Sequence, residues 1–89
     1  MIVKWHEQSL DRLADIYVDA IPKDREVIAA AVTWMNIQLA LGPWNLGESR
    51  EEWERIWFHY PLAIMYEILP NDGEVLVTDV IKLRPQADK

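Results

Sequence analysis

Residues 47–68 read GESREEWERIWFHYPLAIMYEI, and the fold turns on how this stretch is read. After a glycine and a run of mixed charge come segments rich in aromatic and branched residues, broken once by Pro61. Trp53–Tyr60 and Leu62–Leu69 have the composition of strands. Pro61 fits only a strand start or edge, so it marks the join between them. A period of two puts Arg55, Trp57 and His59 on one face of the first strand, with Ile56, Phe58 and Tyr60 on the other. A cation and an imidazole on a strand otherwise suited to burial are either a site or the polar positions of a sheet with one wet face.

Downstream, Pro70-Asn71-Asp72-Gly73 contains the Asp-Gly hairpin signal, and Glu74–Leu83 is a further strand. Its register is open. Val75, Val77, Asp79, Ile81 and Leu83 share one face, which Asp79 spoils for a core, while Leu76, Thr78 and Val80 share the other. Upstream, Gly42-Pro43 stops a helix that begins near Pro22 and runs to about Leu41. After Glu26 this helix carries no charge and is apolar almost all round, so it needs cover on more than one side. Before it, Leu10, Leu13, Ile16, Tyr17 and Ala20 recur at helical spacing behind Ser9, the expected N-cap, and Ile2–Trp5 is a short strand. The order is β-α-α-β-β-β: an α+β domain with two N-terminal helices packed on one antiparallel sheet. It spans 1–89 as one domain with a polar tail at 85–89.

The net charge is −6, from 15 acidic and 9 basic residues, which opposes nucleic-acid binding over long range. Absence of cysteine excludes disulfides and thiolate chemistry and fits a reducing compartment. No basic leader and no apolar run of about 20 residues is visible, so a cytoplasmic, non-membrane protein is expected. Five tryptophans are more than a small core needs, and some are expected at a partner surface.

The order of the pieces IVKWHEQSLDRLADIY, GESR, RIWFHYPLAIMYEI and GEVLVTDVIKLR resembles the RelE/ParE superfamily of bacterial type II toxins, which includes plasmid-stabilisation proteins. The resemblance covers nearly the whole chain. It implies either cleavage of messenger RNA at the ribosome or inhibition of DNA gyrase, and silencing by a cognate antitoxin. RelE-like nucleases typically carry an Arg where the "AIMY" segment has Ala63, and a Tyr or His beyond the basic end of the last strand, where this chain reads RPQADK. These departures, with the acidic charge, favour a toxin acting by protein binding, or a non-toxic relic that keeps its partner, over an endoribonuclease.

RNA cleavage through the 2′-hydroxyl needs a base, an acid and cations for the developing phosphorane charge. The candidate catalytic set is Arg55, His59, Lys82 and Arg84, with Trp57 available to stack a base. Against it, Arg55 is equally suited to pairing with Glu54 or Glu67, and a lone strand histidine lacks the supporting third group of an activated residue. Tyr66 is expected in the core with its hydroxyl at the rim. The candidate partner-binding residues are Trp34, Met35, Ile37 and Trp57. The first three point in different directions round the second helix, for an antitoxin or, in competition, for a self-dimer. No cofactor is called for, and His6, Glu7 and His59 lack the spacing of a metal set.

Overall fold

A computed structural model describes residues 1–84; the tail expected at 85–89 lies outside the described residues. The elements are β1 (Ile2–Trp5), α1 (Glu7–Asp19), α2 (Pro22–Leu41), a 3₁₀ turn (Pro43–Asn45), β2 (Glu48–Ser49), β3 (Glu54–His59), β4 (Leu62–Leu69), a second 3₁₀ turn (Pro70–Asp72) and β5 (Glu74–Lys82). The strands form one sheet in the order β1-β5-β4-β3-β2. β2 to β5 are antiparallel, as hairpin connections dictate, but β1 lies parallel to β5, so the sheet is mixed rather than wholly antiparallel. The reason is topological. The helical crossover returns the chain to the far edge, and β1 takes the one free flank of β5.

β4 is the central strand. Leu62, Ile64, Tyr66 and Ile68 alternate along it toward the helices and join Val75, Val77 and Val80 of β5. From above, α2 contributes Ile28, Ala31, Met35 and Leu39, the single stripe of an otherwise all-round apolar helix that this core covers.

The register of β5 combines both expected faces. Met65 pairs with Asp79 but Tyr66 pairs with Val77, leaving Thr78 as the extra residue of a β-bulge. Val75 and Val77 therefore face the core before the bulge and Val80 after it. Thr78 Oγ1 donates to the Met65 carbonyl at 3.2 Å, and Asp79 accepts from the Val80 amide at 2.8 Å, so local side chains satisfy the interrupted ladder.

α1 begins earlier than expected. His6 is its N-cap, with Nδ1 accepting from the Gln8 amide at 3.1 Å, and Ser9 lies inside the first turn, fully buried. The Ser9 hydroxyl is shared between the carbonyls of His6 (2.7 Å) and Val77 (3.0 Å). Ser9 thus ties α1 to β5 instead of capping the helix, because β1 passes into α1 with no spacer beyond His6. The last turn of α1 has no basic residue of its own. Arg25 of α2 supplies the charge, donating to the carbonyls of Tyr17 (2.9 Å) and Val18 (2.8 Å) with its guanidinium over the Tyr17 ring. Among the described residues no helix is long and apolar enough to cross a membrane.

Candidate functional site

Cross-strand pairing settles where the opening stretch points. Arg55, Trp57 and His59 pair with Tyr66, Ile64 and Leu62, so all three lie on the helix-facing side of the sheet. They stand on β3, toward the sheet edge, where the helices cover them only in part, and each is half-buried. The shared face was legible from alternation. Which face the helices cover was not.

Arg55 is held by backbone. Its Nε donates to the Leu46 carbonyl at 2.8 Å and its terminal NH₂ nitrogen to the Gly47 carbonyl at 3.1 Å. Its pairing partner Tyr66 is fully buried, with its hydroxyl 2.8 Å from the Pro43 carbonyl and 2.9 Å from that of Leu46. One phenolic proton is shared between those acceptors. Burial pushes the Tyr66 phenol above its ordinary range, and the Arg55 charge offsets part of that shift. Together the two side chains clamp the segment from Pro43 to Gly47, which joins α2 to β2. Gly47 itself adopts φ +62°, and a side chain there would run into the backbone of Ile56. Sequence reasoning missed this clamp. Its traces were Tyr66, expected in the core with its hydroxyl at the rim, and a glycine next to a charged run.

The other candidate cations do not converge with Arg55. Lys82 pairs with Leu62, which pairs with His59, so His59 and Lys82 occupy one row about 10 Å apart, two strand spacings. Arg55 lies four residues back along β3, about 13 Å from that row. Arg84 follows β5 and is exposed. The His59 ring lies 5.8 Å from the Trp57 ring, and among the described residues its side chain makes no hydrogen bond that would orient it as a base. Lys82 instead lines a small cavity of about 160 Å³ with Asp24, Val27, Tyr60 and Pro61.

The open side of the sheet carries the opposite chemistry. Phe58, Ala63 and Ile81 form one row and Ile56, Met65 and Asp79 the next. Glu54 and Glu67 then face each other directly, like charges across two strands. Two basic side chains are paired with carboxylates of this sheet: Lys4 Nζ lies 2.8 Å from the Glu74 carboxylate, which raises the ammonium pKa, and Arg12 reaches Asp79 at 3.4 Å. An RNA phosphate would meet apolar side chains and carboxylates on this face.

Of the expected partner-binding residues, Trp34 and Ile37 are 49% and 48% exposed; three residues apart, they share the outer side of α2 instead of pointing in different directions as expected. Met35 is a correction: at 0% exposure it belongs to the chain's own core, because it continues the stripe of Ile28, Ala31 and Leu39. Trp57 packs against the core from its half-buried position on β3 and is a minor part of any surface.

Arg55→Ala is expected to lower stability by about 2 kcal/mol, since it removes two charge-assisted bonds to the loop. Urea unfolding measures this. An unchanged midpoint would show that the guanidinium does not hold the loop.

Two helices on a mixed five-stranded sheet in this order define a RelE-like α+β fold. The structure is similar to the crystal structure of the isolated E. coli RelE toxin, with a TM-score of 0.64 over 96% of this chain and 86% of that chain, at 12% sequence identity. At that identity the likeness is one of fold. No protein-family model matches the sequence, and no curated protein matches it.

Proposed function

We propose that the chain is the toxin-type component of a bacterial toxin–antitoxin pair, that it acts by binding protein, and that a cognate antitoxin silences it. The RelE-like fold across nearly the whole chain supports the first part. The observation that carries the second is the open sheet face. It presents Ile56, Phe58, Met65 and Ile81 among Glu54, Glu67 and Asp79, with Ala63 at the position where the RelE-like nuclease pattern has Arg. Stabilising a phosphorane requires cations aimed at it, and Arg55, Lys82 and Arg84 are not gathered to do so.

The surface best suited to protein binding is the outer face of α2, around Trp34 and Ile37. It has aromatic and aliphatic groups and no charge from Val27 to Leu41. Contacts made there depend on apolar burial, so raising salt weakens them little.

Inducing the chain alone in bacteria is expected to slow growth, and co-expressing the adjacent gene to restore it. Normal growth at high soluble expression overturns the toxin reading and leaves a non-toxic relic that retains its partner.

A further inference from the structure

The apolar residues that α2 keeps out of the core are not scattered. Val27, Ala30, Trp34, Ile37 and Leu41 follow one another at intervals of 3, 4, 3 and 4 residues, and all five are exposed. That is the a/d spacing of a coiled-coil seam, held here over two heptads on the side of the helix turned from the sheet. Leu41 is 78% exposed, and Tyr60 extends the apolar surface past Val27 across the small cavity they share. One residue out of phase, about 100° round the helix, Ile28, Ala31, Met35 and Leu39 form the stripe that the chain's own core uses. α2 therefore carries two apolar seams, and among the described residues only one has a partner.

We propose that the second seam packs against the same seam of a second copy of this chain, with the helices antiparallel. This rests on the reading of α2's outer face as a protein-binding surface and names what binds it. Side-chain sizes along the seam are complementary in this arrangement. In an antiparallel pair each a position meets a d position of the other helix. Trp34 then lies over Ala30 of the second copy, the largest side chain over the smallest, and does so twice by symmetry. Val27 meets Ile37 of the second copy. Lys23, one step further along the same stripe, meets Leu41 of the second copy, with its apolar stem over the leucine and its ammonium beside the last carbonyls of that helix.

Charge favours the same contact. Two chains of net charge −6 repel each other over most of their surface, and a two-fold contact through the open sheet face would set Glu54, Glu67 and Asp79 near their own copies. From Val27 to Leu41 there is no charge to repel. The antiparallel register also sends Asp24 and Glu26 toward Ala40 and Gln38 of the second copy, so no carboxylate faces another. A parallel pair would stack Trp34 on Trp34 and Lys23 on Lys23.

Light scattering coupled to size exclusion, on the whole chain, is expected to give twice the mass of one chain. Trp34→Glu is expected to raise the dissociation constant at least about thirtyfold. Trp34 is exposed in the single chain, so unchanged circular dichroism confirms that the variant folds. The chain has no cysteine, which permits a second measurement. Val27→Cys combined with Ile37→Cys is expected to form a disulfide-linked dimer on oxidation, and Val27→Cys alone is not. A chain that is monomeric at every concentration overturns the proposal, as does a dimer indifferent to Trp34→Glu. Crosslinking by Val27→Cys alone overturns the antiparallel register. A monomer that captures the neighbouring gene's product through Trp34 overturns self-association while leaving the protein-binding reading of this face intact.

Discussion

Gly47→Ala destabilises the protein by about 3 kcal/mol or more, the sum of a left-handed backbone that a side chain resists and an overlap that cannot relax. Gly47 has φ +62°, and a Cβ there would overlap the Ile56 carbonyl oxygen and lie 2.8 Å from Trp57 Cα. Those atoms belong to the backbone of β3, fixed by pairing with β4 on one side and with Glu48 of β2 on the other. Relief requires the loop to lift away, and lifting it separates Arg55 and Tyr66 from the Leu46 and Gly47 carbonyls. Gly73 is the internal control. Its φ is +65°, but nothing lies within 4 Å of a Cβ there, so Gly73→Ala costs only about 1–2 kcal/mol for the backbone. Chemical denaturation of the two variants side by side measures the difference. Equal losses would mean that close approach to β3 contributes nothing.

The second large effect distinguishes neighbours on one helix. Met35→Ala lowers stability by about 2–5 kcal/mol, because it empties a site that is fully enclosed between α2 and the sheet. In a chain of this size that lowers the melting temperature by on the order of 10 °C or more. Trp34→Ala, one residue away, changes the stability of the single chain by about 0.5 kcal/mol or less, since the ring stands outside the core. Its effect appears in association instead. If Trp34→Ala unfolded the chain and Met35→Ala did not, the helix would be rotated from the orientation described.

The limits of α2 and the strands β3, β4 and β5 could be read from the chain because each depends on local signals: period, proline, glycine and hairpin chemistry. Where the reading fell short, two local rules competed. Ser9 has the chemistry of an N-cap, yet His6 takes that position because β1 runs directly into α1, and Ser9 is left to bond Val77 from within the helix. The two faces considered for β5 were each correct over half the strand, because Thr78 forms a bulge that exchanges them. Of the Arg55, His59, Lys82 and Arg84 set, alternation correctly placed Arg55 and His59 on one side of β3 but could not show that Arg55 turns to the loop after α2.

By itself, then, the sequence determined both helices and four of the five strands, all but the two-residue β2, that α2 has more apolar surface than one sheet can cover, and that its acidic charge opposes nucleic acid. Those follow from composition and from spacing along one chain. Only the tertiary structure decided that β1 pairs parallel to β5, that the face bearing Arg55 and His59 is the one the helices cover, and that Met35 lies inside while Trp34 lies outside. These depend on which surfaces meet, and helix and strand periods give relative direction, not the side on which a neighbour packs.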